Sequence, residues 1–105
     1  MSDLDAIVVG AGPNGLAAAV TLARAGLAVR VYEKGATIGG GARTAEMTLP
    51  GYLHDVCSAV HPLAFESRFF REFGLGKRVE FAVPEASFAQ PLDGGRAAGA
   101  YRSEE

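Results

Sequence analysis

Gly10, Gly12 and Gly15 fall at spacings of two and three residues in Gly10-Ala11-Gly12-Pro13-Asn14-Gly15. Backbone that turns sharply, lacks Cβ atoms and then opens a helix can present free amide hydrogens to a diphosphate. Each glycine has its own part in that chemistry. Gly10 permits the tight turn, Gly12 leaves room for a pyrophosphate against the backbone, and Gly15, with Ala19 one turn later, lets a helix lie close to a sheet. The bland alternative is a strand-to-helix turn that holds no ligand, because such patterns arise by chance among 14 glycines in 105 residues. Context separates the two readings: a strand must come directly before the motif and a helix directly after it.

Glu33 is the second element, eighteen residues beyond Gly15. A carboxylate at the end of the second strand can accept hydrogen bonds from ribose hydroxyls and would repel a 2′-phosphate, which favours FAD or NAD over NADP. In isolation it would be an exposed strand-end acid. The third element is Gly39-Gly40-Gly41-Ala42-Arg43-Thr44, where closely spaced amides and one guanidinium could form a second anion-binding surface. Its alternative is a flexible linker.

The elements around these residues follow from local pattern. Residues 5–9 form an apolar, β-branched run that ends at Gly10 and reads as a buried strand. Pro13 suits the first turn of a helix, residues 16–25 are rich in alanine and leucine, and Gly26 supplies the C-cap. Residues 27–33 read as a second strand, parallel to the first across a right-handed crossover. Residues 34–51 carry several glycines and Pro50 without helical periodicity, and are expected as a long ordered loop. A short amphipathic helix is expected over 65–73, where Phe65, Phe69 and Phe73 recur every fourth residue, ended by Gly74 and Gly76. A strand is expected over 78–83. A hairpin is expected from 87–93 and 96–101, with Gly94-Gly95 as a two-residue turn and Pro91 marking an edge strand. The fold class is therefore α/β: a partial Rossmann-like βαβ dinucleotide-binding unit, then a glycine-rich loop, a short helix and a β-hairpin.

Length and composition bound what this can be. At 105 residues the chain is shorter than one average domain of ~150. It is 49% hydrophobic and 21% charged, which is globular composition. Ten basic against twelve acidic residues give a net charge of −2, with no electrostatic grip on nucleic acid. A single cysteine, Cys57, excludes an internal disulfide framework. The start of the chain, with Ser2, Asp3 and Asp5, lacks the basic region of a secretory signal. The most apolar stretch is broken by Arg24 and Arg30, so no transmembrane segment is expected. Together these point to a cytoplasmic, reducing compartment.

Beyond its chemistry, the sequence resembles a known family. Gly10-Ala11-Gly12-Pro13-Asn14-Gly15-Leu16-Ala17-Ala18-Ala19, Tyr32-Glu33-Lys34, Ile38-Gly39-Gly40-Gly41-Ala42-Arg43-Thr44 and Leu49-Pro50-Gly51-Tyr52 together resemble the N-terminus of phytoene dehydrogenase-related FAD-dependent oxidoreductases, within the amine-oxidase-like flavoproteins. The resemblance implies Gly10, Gly12 and Gly15 at the FAD pyrophosphate with Pro13 and Asn14 lining it. It implies Glu33, followed by Lys34, at the adenosine ribose, and Gly40, Gly41 and Arg43 near the phosphates. Many relatives place arginine directly after a glycine pair, whereas Gly41-Ala42 intervene here. Members of that family run to several hundred residues, so 1–105 is expected to be one incomplete FAD-binding module. In it, 1–45 hold the βαβ unit and glycine-rich loop, and 46–105 begin the helix and hairpin region. No catalytic residue is expected within it, and the isolated chain is expected to be inactive. Self-association or docking of a missing C-terminal portion is expected, since two parallel strands cannot cover their own edges. The alternatives are an NAD-binding module of a dehydrogenase and a non-catalytic fragment.

Two further groups carry less. His54, Cys57 and His61 are spaced for one helix face but lack a fourth ligand, so a small buried cysteine between hydrogen-bonded histidines is expected and no metal. The phenylalanines at 65, 69, 70 and 73 read as packing. Glu104-Glu105 reads as a solvated end.

Overall fold

A computed structural model describes residues 3–102. Two compact units divide the chain, Met1–Ala64 and Phe65–Glu105.

The first unit opens with β1 (Ala6–Val9), α1 (Pro13–Arg24) and β2 (Val29–Tyr32). The strands pair in parallel, with Ala6 opposite Val29 and Val9 opposite Tyr32. The ladder runs one step further, because the Gly10 amide donates to the Tyr32 carbonyl at 2.7 Å. At the other end the Ala28 amide donates to Oδ2 of Asp5 at 2.8 Å. Pro13 occupies the first helical turn, where its missing N–H removes no intrahelical bond. The helix stops in a Schellman arrangement: Gly26 takes φ +88°, its amide donates to Ala23, and the Leu27 amide donates to Leu22. Ala25 is thus the cap and Gly26 the left-handed residue after it.

Close packing of α1 on β1 depends on Gly15. A Cβ there would collide with the Gly10 carbonyl oxygen and lie 3.5 Å from Cγ1 of Val8. Ala19, one turn on, is the buried residue of the helix. The strand faces turned away from this contact stay open, with Ile7 58% and Val9 86% exposed.

The expected loop over 34–51 is corrected in part. It holds a single 3-10 turn (Gly40–Ala42) and a short strand, β3 (Thr44–Glu46), paired antiparallel with β4 (Leu53–Asp55). The pairing continues past β4, since the Val56 amide donates to Arg43 and the Ser58 amide to Gly41. Three-residue strands are too short for alternation to show in sequence, so glycine content dominated the expectation. Thr44 Oγ1 donates to Oδ1 of Asp55 at 2.9 Å across this pair. The unit closes with a 3-10 turn, Pro62–Ala64.

The second unit holds α2 (Arg68–Phe73), a 3-10 turn (Leu75–Lys77) and the hairpin of β5 (Ala86–Leu92) and β6 (Arg96–Tyr101). The helix is shorter than expected because Ser67 takes the N-cap, leaving Phe65 outside it. Phe65 instead meets Phe81, with ring centroids 4.4 Å apart. Within α2, Phe69 stacks on Phe73 at 5.8 Å, and the Arg78 guanidinium sits 4.7 Å above the Phe73 ring. Gly74 ends the helix at φ +72°. The strand expected over 78–83 does not form. The Arg78 and Val79 amides both close onto the Leu75 carbonyl, and Phe81 is held by Phe65. The hairpin forms, but Leu92 pairs with Arg96, so its loop has three residues and not two. Gly94 and Gly95 both adopt positive φ there. Pro91 lies in β5, whose residues are all exposed.

Among the described residues the buried apolar side chains are Ala11, Ala19 and Ala64. Among the described residues no helix is long and apolar enough to cross a membrane. Glu104-Glu105 lie outside the described residues.

Candidate functional site

The loop from β1 into α1 and the exit of β2 meet at one residue, Ala11. Gly10 leaves β1 at φ +97°, a conformation that L side chains avoid. The next residue, Ala11, is 1% exposed. Its amide donates to Oε2 of Glu33 at 2.6 Å, and its carbonyl accepts the Gly39 amide at 2.8 Å. The other carboxylate oxygen of Glu33, Oε1, accepts the Gly35 amide at 2.7 Å. These bonds hold the Glu33 carboxyl below its ordinary range, the Gly35 amide most, then that of Ala11, with the Arg43 charge adding to them. In the fold Glu33 fastens the first glycine loop to the exit of β2. Each carboxylate oxygen retains lone-pair capacity for a further donor.

With Ala11 engaged, the amides of Gly12, Asn14 and Gly15 have no acceptor among the described residues. They lie at the start of α1, where the helix dipole adds positive potential. A Cβ built on Gly12 would meet nothing nearer than the Cα of Gly40 at 3.9 Å. A methyl at Gly12 would therefore rest in ordinary contact with Gly40, so the fold's own packing does not require a glycine there. Amides without an acceptor at a helix start are an arrangement that can take a phosphate group.

The second glycine segment docks on the first. Gly40 takes φ +55°, and a Cβ on it would lie 3.0 Å from the Cα of Gly12 and 3.5 Å from Cδ of Pro13. Gly41 packs towards Cys57, whose Cβ would be 3.2 Å from an added methyl. Arg43 braces the turn: its Nε donates to the Gly40 carbonyl at 2.8 Å and its Nη1 to Oγ1 of Thr37 at 3.3 Å. Pro13, Asn14, Lys34 and Arg43 are all exposed. The fold thus gathers Gly10, Gly12, Pro13, Gly15, Glu33, Gly40 and Arg43 around the β1–α1 turn. Ala11 and Thr37 belong to the same constellation without having been expected there, and Gly39, expected only as part of the second glycine segment, joins them. Only the position of Ala11 between two motif glycines hinted at its part.

The histidine–cysteine group does not form the expected buried cluster. Cys57 is exposed. His54 Nε2 shares a hydrogen bond with Oγ1 of Thr48 at 2.8 Å, and His61 Nδ1 with Oγ of Ser58 at 3.4 Å. Among the described residues no group of His, Cys, Asp and Glu could hold a metal ion.

Residues 8–73 match the NAD(P)-binding Rossmann-like domain family. The chain belongs to that family. Curated relatives of this Rossmann-like chain resemble part of it. An uncharacterized protein of Mycobacterium bovis is 60% identical over 40 residues, 38% of this chain and 8% of its own length. The mouse pyridine nucleotide-disulfide oxidoreductase domain-containing protein 2 is 48% identical over 50 residues, 48% of this chain and 8% of its own. Thiamine thiazole synthase of Pyrococcus horikoshii is 51% identical over 39 residues, 37% of this chain and 16% of its own. The chain thus spans from 8% to 16% of the length of these relatives in the matched part. No solved structure gives a significant match.

Proposed function

We propose that this chain binds FAD, as the dinucleotide-binding N-terminal part of a flavin-dependent oxidoreductase of the phytoene dehydrogenase-like type. The observation that carries the reading is the set of amides at the start of α1, those of Gly12, Asn14 and Gly15, that have no acceptor among the described residues, on a loop that Glu33 fastens. The amides of Gly12, Asn14 and Gly15 hold the diphosphate, and Pro13 shapes the turn that presents them. Glu33, flanked by Lys34, takes the ribose hydroxyls of the adenosine half through its remaining lone pairs. Gly40, Gly41 and Arg43 close over the other side of the diphosphate. When bound, the flavin supplies hydride or electron uptake from a C–H bond; residues 1–105 place it and contribute no reacting group.

FAD is preferred to NAD because the chain docks a glycine turn on the phosphate loop where a second crossover helix would otherwise follow β2. The family name and the oxidoreductase name of the mouse relative support dinucleotide chemistry in general. In this reading residues 1–105 are one incomplete module in a reducing, cytoplasmic setting, completed by further chain or by self-association. Titration of the purified chain with FAD, NAD and NADP tests it. Tight FAD binding, with a yellow protein and quenched flavin fluorescence, is expected. Preference for NAD would replace the flavin reading with the dehydrogenase one, and turnover by the 105-residue chain alone would refute the assignment of a purely binding role.

A further inference from the structure

Both faces of the Ala11 residue are pinned from outside its own loop. Its N–H is held by a carboxylate at the end of β2, and its carbonyl by an amide of the second glycine turn. A trans peptide points its C=O and N–H in opposite directions, so fixing one end aims the other. Holding the Ala11 N–H on Glu33 turns the Gly10 carbonyl away from Glu33, toward the helix start where Gly15 leaves it room. Holding the Ala11 carbonyl on Gly39 likewise aims the Gly12 N–H away from Gly39, and that amide has no acceptor among the described residues.

We propose that Glu33 is a positioning residue for the phosphate-facing amides, acting through the Ala11 N–H, and that this role is separate from any contact with a ribose. The inference rests on the dinucleotide reading above. Charge alone would give the opposite effect: a carboxylate beside a bound diphosphate repels it, so its removal should tighten binding if positioning were absent. The same residue joins the exits of β1 and β2, because its second oxygen holds the Gly35 amide.

The test compares Glu33→Ala with the unsubstituted 105-residue chain, using ADP and 2′,3′-dideoxy-ADP as probes. The dideoxy compound lacks the hydroxyls a ribose-binding carboxylate would accept, so the four affinities form a double-mutant cycle. Positioning predicts that Glu33→Ala weakens dideoxy-ADP by on the order of three- to tenfold, the range of one lost hydrogen bond. Glu33→Gln, which keeps one acceptor oxygen, should fall between the two. Amide exchange gives a ligand-free readout: in Glu33→Gln the Ala11, Gly35 and Gly39 amides should exchange faster, while the β1–β2 ladder amides keep their protection. Unchanged or tighter dideoxy-ADP binding in Glu33→Ala, or unchanged exchange at Ala11 and Gly39 in Glu33→Gln, overturns the proposal. An unsubstituted chain that binds no ADP overturns the dinucleotide reading itself and this role with it.

Discussion

Gly12 and Gly15 sit three residues apart and answer differently to one added methyl group. At Gly12 the nearest atom would be 3.9 Å away, so Gly12→Ala should leave the fold intact, and any loss of affinity reports the ligand. ADP binding should drop by tenfold or more, on the order of 1.4 kcal/mol, with unchanged helical circular dichroism. Full affinity in Gly12→Val would count against the assignment. At Gly15 the methyl meets the Gly10 carbonyl, and backbone cannot step aside as a flexible side chain does. Gly15→Ala should therefore lower stability itself by roughly 1–3 kcal/mol, read as a shift in the unfolding midpoint. Glu33 adds a pH dependence. Its carboxyl titrates below the ordinary glutamate range, so the folded loop favours the charged form. That contribution is complete above the ordinary range and is lost as pH falls through the lowered folded value. The Ala11 amide resonance should thus stay constant from neutral pH down to mildly acidic pH, then shift at lower pH. In Glu33→Gln the shift should be absent.

The elements owe their positions to a few short contacts between loops. Parallel pairing of β1 and β2 brings the Gly10 turn and Glu33 side by side, since Val9 stands opposite Tyr32. The second glycine turn is held from the opposite side by the ladder that continues from β4 to Gly41. What had the composition of a linker is therefore an ordered part of the site. Gly40 lies against Gly12, and it already occupies left-handed backbone. Gly40→Ala combines a strained φ, costing ~1–2 kcal/mol, with a 3.0 Å contact on Gly12. It should separate the two turns and weaken ADP about tenfold, while hydrogen-exchange protection of the β1–β2 ladder persists. A variant with unchanged ADP affinity would show that the second turn takes no part in binding.

At the scale of the whole molecule, burial is scarce. The buried apolar side chains among the described residues are three alanines, so neither unit has a core of larger residues. The face of β1 that α1 does not cover exposes Ile7 and Val9. Covering side chains of this kind is worth ~1.5–3 kcal/mol each, which makes this face a reservoir for association. The 105-residue chain should melt broadly, and its sedimentation should depend on concentration. Val9→Lys should reduce that dependence without lowering the midpoint of the dilute chain. A sharp, concentration-independent transition from a monodisperse monomer would contradict both expectations.

The βαβ unit was legible because its signals are local: a β-branched run, Pro13 in the first turn, Gly26 past the last, and a glycine trio between strand and helix. Those residue types carry their own conformational limits, and no distant partner is needed to read them. The same local logic misplaced the start of α2 and supplied a strand over 78–83, where Ser67 and the Phe65–Phe81 contact decided otherwise. Which groups meet at Ala11 could not be read from spacing. Glu33 lies twenty-two residues from the amide it accepts, and the Gly39 amide lies twenty-eight residues from the Ala11 carbonyl it reaches. Residue type determines what a backbone segment can adopt; pairing across the chain decides which amides are consumed and which remain free for a ligand.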